Sequence, residues 1–78
     1  KKLYKRELLF NVRESKIATD LRLIQERNRQ VNIGSYPRFN EEASLIITIE
    51  AENKSEVEQV ANLISTKFKI YFLGNIGN

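Results

Sequence analysis

Ten carboxylates, one from Asp20 and nine from glutamates, are the main groups in this 78-residue chain with the makings of acid–base chemistry. Histidine and cysteine are both absent. That removes the commonest general base near neutral pH, the thiolate nucleophile, and the usual nitrogen and sulfur metal ligands. Glu41-Glu42 and Glu50/Glu52 stand close in sequence, but paired acids act only in a cleft that pushes their pKa values apart. These pairs fall in a predicted hairpin loop and at a strand end, where solvated acids are common. Two neighbouring carboxylates also supply too few oxygens for a hard cation, which gathers about six to eight. The sequence therefore predicts no catalytic residue, no metal site and no cofactor held by this segment.

Recognition is the more natural use of the remaining side chains. Ile33-Gly34-Ser35-Tyr36-Pro37-Arg38-Phe39 is the most distinctive stretch, and it joins the single proline to the first glycine. Gly34 permits a bulge or a positive φ, and Pro37 holds Tyr36 extended. Two aromatic rings flanking Pro37-Arg38 make a stiff amphipathic surface, so Ser35, Tyr36, Arg38 and Phe39 are the candidate binding residues. The alternative is that Tyr36 and Phe39 plug the end of the core while Arg38 is solvated. A nucleic-acid role has its own signals. Gly74-Asn75-Ile76-Gly77 matches the G-x-x-G loop with which KH domains clamp a nucleic-acid backbone, although here it follows the last predicted strand rather than joining two helices. Tyr4, Phe10, Tyr71 and Phe72 lie on or near outer strands, but the RNP motif of RRM sheets is missing. Residues 1–40 carry ten Lys/Arg against four acids, a balance of +6, and residues 41–78 carry three against six, a balance of −3. A basic half attracts phosphates or an acidic partner, or is simply a solvated helix face.

The elements that must position these residues follow from periodicity. Leu8, Phe10 and Val12 alternate with Leu9, Asn11 and Arg13, which predicts a strand with one buried face, extended outward by residues 3–6. Ile17, Ala18, Leu21 and Ile24 recur at helical spacing, with Ser15 as the expected N-cap and Asn28 as the stop. Leu23 lies off this stripe and predicts a contact on a second side of the helix. Val31 and Ile33 start a second strand, which Gly34 and Pro37 are expected to end or bulge. Residues 43–50 form the strongest strand, apolar on both faces and therefore central. Ser55 and Glu58 have capping-box spacing, ahead of an amphipathic helix through Val57, Val60, Ala61, Ile64 and Phe68. Residues 69–73 form the last predicted strand, and residues 74–78 a tail.

The order is β-α-β-β-α-β. It predicts an α+β two-layer sandwich, an antiparallel sheet with two helices on one face, ferredoxin-like or KH-like, with strand order left open. Leu9, Ile46 and Thr48 would then stand on the sheet face that the helices leave uncovered, an apolar surplus that suits a neighbouring domain. A chain of this length makes one domain, residues 1–78, with a thin core and no room for an enclosed substrate cavity. No apolar run approaches the roughly 18 residues of a membrane span, and the absence of cysteine suits a reducing, cytoplasmic setting.

Glu14-Ser15-Lys16-Ile17-Ala18, followed by Val31-Asn32-Ile33-Gly34-Ser35-Tyr36-Pro37-Arg38-Phe39, resembles the small domain that follows the molybdopterin-binding-like domain in eukaryotic FAD synthases and CinA-family proteins. The resemblance covers nearly the whole chain. It implies a piece of a larger multidomain enzyme of flavin or nucleotide metabolism. In such proteins adenylyl transfer to FMN belongs to a separate C-terminal domain, and pyrophosphate-bond hydrolysis is associated with the molybdopterin-binding-like domain. The segment itself is then expected to be a non-catalytic accessory or docking domain, with the neighbouring domain as its partner. The alternative is a KH-like nucleic-acid-binding module.

Overall fold

The computed structural model describes residues 2–38 and 44–76. Six elements follow one another: β1 (Tyr4–Phe10), α1 (Glu14–Arg27), β2 (Asn32–Pro37), β3 (Leu45–Ala51), α2 (Lys54–Lys67) and β4 (Phe72–Ile76). The four strands form one antiparallel sheet in the order β2-β3-β1-β4. Each β-α-β unit is therefore split by a strand of the other, which is the ferredoxin-like arrangement. β3 is central, as its two-sided apolar sequence predicts.

One face of the sheet carries the core. Leu8 and Phe10 from β1 and Leu45, Ile47 and Ile49 from β3 are almost fully buried, because alternate residues of a strand point the same way. They share a single cluster with Ile17, Leu21 and Ile24 of α1 and Val57, Val60, Ala61 and Ile64 of α2. Both helices thus cover the same side. Ala18 is exposed rather than part of the stripe. Phe10 sits at the aromatic centre, edge-on to Phe68 at 6.2 Å and tilted against Phe72 at 5.3 Å. Arg6 reaches from β1 to the Glu58 carboxylate on α2 and to the Asn75 side chain on β4, tying three elements together.

The helix starts differ from expectation. α1 begins at Glu14 with Arg13 in the N-cap position and no side-chain capping bond, so Ser15 lies inside the first turn. Burial of Val12 right after β1 turns the chain early, and the Lys16 N–H donates to Arg13 O at 3.0 Å. In α2 the cap is Asn53, whose Oδ1 accepts from the N–H groups of Ser55 at 2.9 Å and Glu56 at 3.2 Å. The Ser55 hydroxyl donates to the same oxygen at 2.7 Å. Glu58 pairs with Arg6 instead of closing a capping box. Asn53→Ala is expected to cost about 1 kcal/mol, read as a lower urea midpoint with an unchanged slope.

Two strands also shift. β2 runs without a break through Gly34 to Pro37, and β4 occupies 72–76, starting three residues later than the expected 69–73 and running into the expected tail. Phe68 caps α2, and the turn after it uses up residues 69–71: the Tyr71 N–H donates to Phe68 O at 2.9 Å and the Phe72 N–H to Lys69 O at 3.2 Å. β4 then passes β1 with a register shift between Leu9 and Phe10. Gly74 takes φ 144° there, a conformation that L side chains resist.

Candidate functional site

The helices leave one sheet face open, and the register states which residues stand on it. Leu9 lies opposite Ile46 and Gly74, Glu7 opposite Thr48 and Ile76, and Tyr36 opposite Ile46. Leu9, Ile46 and Ile76 are only half-buried. Toward the other end Lys5 stands opposite Glu50, and its ammonium is 3.9 Å from the Glu7 carboxylate. The face is therefore apolar at one end and charged at the other.

Tyr36 is well exposed on this surface, at 57%. Its ring leans back along β2 over Gly34, two residues away and on the same face. A Cβ at Gly34 would come within 3.0 Å of the Tyr36 hydroxyl, 3.1 Å of a ring carbon and 2.9 Å of Thr48 Oγ1. The glycine is thus required by close approach, not by backbone conformation. A ring held against the sheet while most of its area faces solvent loses little freedom on binding, the usual property of an aromatic anchor.

A family model described as the FAD synthase middle domain matches residues 2–74. The chain belongs to this family. Among curated proteins, none matches it. The match agrees with the FAD synthase part of the resemblance carried by residues 14–18 and 31–39.

Of the predicted binding residues that the structure describes, Ser35 and Tyr36 stand on opposite faces of β2. Ser35 alternates with Tyr36 and faces the helix side, where its hydroxyl donates to the Glu14 carboxylate of α1. Tyr36 is on the open face. The Arg38 N–H extends the β2–β3 ladder by donating to Ser44 O at 3.1 Å. Phe39, Glu41, Glu42 and Gly77 lie outside the described residues. Gly74 lies within β4 rather than in a loop. Tyr4, Phe10, Tyr71 and Phe72 pack in or against the core on the helix side, so none of them offers a stacking ring on the open face.

Sequence reasoning missed Gln25. Its Nε2 donates to Val31 O at 2.8 Å and to Asn28 O at 3.3 Å, and its Oε1 accepts from the Ile33 N–H at 2.8 Å. One amide on α1 thereby mimics the neighbouring strand that β2 lacks. No local pattern announces this, because a glutamine on a helix face is ordinarily solvated. Leu23, still 44% exposed, lines with Leu63, Arg27 and Lys67 a shallow groove of about 200 Å³ between the helices. A wider depression of about 440 Å³ at one end of the sheet is lined by Leu3, Arg29, Glu50, Glu52 and Glu56 among others. Among the described residues no group of three or more acids is placed to hold a metal ion, and no helix is long and apolar enough to cross a membrane.

Proposed function

We propose that this FAD synthase middle domain is a non-catalytic accessory module that docks its open sheet face against a neighbouring domain of the same protein. The observation that carries the reading is the Tyr36 ring laid over Gly34 beside Thr48, on a face where Leu9 and Ile46 are left half-covered. Burying that apolar end would stabilise the contact by about 25 cal/mol for each Å² removed from water. The charged end, Lys5, Glu7 and Glu50, fixes the direction of approach, since like charges across an interface are costly.

The test compares the 78-residue chain with the full FAD synthase that contains it. Oxidative footprinting of Tyr36 is expected to be several-fold slower in the full protein. Ile46→Lys is expected to lower the melting temperature of the full protein while leaving that of the 78-residue chain almost unchanged. Equal Tyr36 labelling in both would sink the docking reading. FAD formation from FMN and Mg·ATP by the isolated chain, or its hydrolysis of FAD with added divalent metal, would overturn the non-catalytic part.

A further inference from the structure

The two edges of the sheet are treated very differently. An edge strand offers a row of unpaired N–H and C=O groups, and proteins guard it with proline, charge or covering groups. β2 is guarded toward both ends. Gln25 occupies Val31 O and the Ile33 N–H, the two groups a further strand would use at that end. The Arg38 N–H bonds inward to Ser44 O, so Pro37, one residue earlier, stands at an outward-facing position and has no N–H to offer.

β4 carries none of the side-chain guards. Residues 70–76, Ile-Tyr-Phe-Leu-Gly-Asn-Ile, contain no charge and no proline. Ile70 is 79% exposed and Leu73 59% exposed. These are the two most exposed large apolar side chains described. A run with high strand propensity, low charge and no proline is the kind that pairs with further strands. The register shift at Leu9/Phe10 bends the edge and shortens the flat part, which limits the strength of such pairing without supplying a blocking group.

We infer that β4 is a strand-addition edge, and that its occupant is β4 of a second copy of this chain, antiparallel across a two-fold axis. An uncharged strand pairs with its own copy without opposing like charges. The guarded β2 edge denies the head-to-tail alternative, in which β4 of one copy would extend β2 of the next into a filament. Assembly therefore closes at two copies. Five paired residues with Ile70 and Leu73 bury far less than the roughly 1,200 Å² of the smallest stable interfaces. The dimer is accordingly weak, with Kd on the order of 0.1 mM.

Sedimentation equilibrium of the 78-residue chain from about 10 µM to about 1 mM, together with amide-resolved NMR over the same dilution, tests this in the range set by that Kd. A monomer–dimer equilibrium is expected, with concentration-dependent shifts and slowed amide exchange centred on residues 72–76. Leu73→Lys and Ile70→Lys change exposed positions, keep the melting temperature, and are each expected to weaken association by at least about tenfold. A chain still monomeric at the highest concentration would overturn the inference. So would growth beyond dimers, or shifts centred on Tyr36 and Ile46 instead of β4. That last outcome would leave the docking face intact as an interaction surface and remove only the edge.

Discussion

Phe10→Ala is expected to destabilise the domain by about 3–5 kcal/mol, a large share of its stability. Phe10 is fully buried and stands between Phe68 at the end of α2 and Phe72 at the start of β4. Removing the ring loses its own transfer free energy and leaves a cavity whose walls belong to three separate elements. Those walls cannot collapse together, because β1 is held in the sheet on both sides by β3 and β4. A chain of this length has roughly 4–12 kcal/mol in total, so the variant should be largely unfolded at modest urea concentrations. Leu23→Ala, at a half-exposed groove position, serves as the contrast and should cost less than about 1 kcal/mol. Urea denaturation followed by far-UV circular dichroism measures both. A Phe10→Ala loss below about 1 kcal/mol would mean that this ring does not join the two ends of the core.

Gly34→Val is expected to destabilise by about 1–3 kcal/mol, against the gain in strand propensity that valine ordinarily brings. The added Cβ would meet Thr48 Oγ1 at 2.9 Å and the end of the Tyr36 ring at 3.0–3.1 Å. The Tyr36 ring can swing away, at the cost of its packing on the sheet. The Thr48 side chain is short and β-branched and has little room to retreat. Steric conflict therefore outweighs propensity, which spans only about 1 kcal/mol. The argument predicts coupling. In a Tyr36→Ala background the same substitution should cost less, by about 0.5–3 kcal/mol, because two of the three close contacts are gone. Strict additivity in that double-mutant cycle would show that the ring does not lie over the glycine.

The same pair of residues shows why part of the site was hidden. Gly34 and Tyr36 are two apart, the spacing that puts side chains on one strand face, but the spacing matters only once residues 32–37 are read as a strand. Glycine and proline there suggest a strand that ends or bulges. In the folded chain both are accommodated because β2 is an edge: Pro37 faces away from the ladder, and Gly34 makes room for a neighbouring ring. The separation of Ser35 from Tyr36 has the complementary reason, since adjacent residues of a strand belong to opposite faces.

Local periodicity was enough to assign the six elements and the inward face of most of them. Leu8 and Phe10, then Leu45, Ile47 and Ile49, repeat every two residues. Ile17, Leu21 and Ile24, then Val57, Val60, Ala61 and Ile64, repeat every three or four. Side-chain direction in a strand or helix is set by the backbone within one or two turns, so the sequence by itself determined most of the core, with Ala18 the exception. Strand order, the guarding of β2 by Gln25 and the displaced register of β4 have no such local origin. They depend on which segments, tens of residues apart, meet once both helices have closed over the same face, and on how the turn after Phe68 spends its residues. Those pairings are decided by shared burial and by the hydrogen bonds left unsatisfied at an edge, quantities that exist only in the tertiary structure.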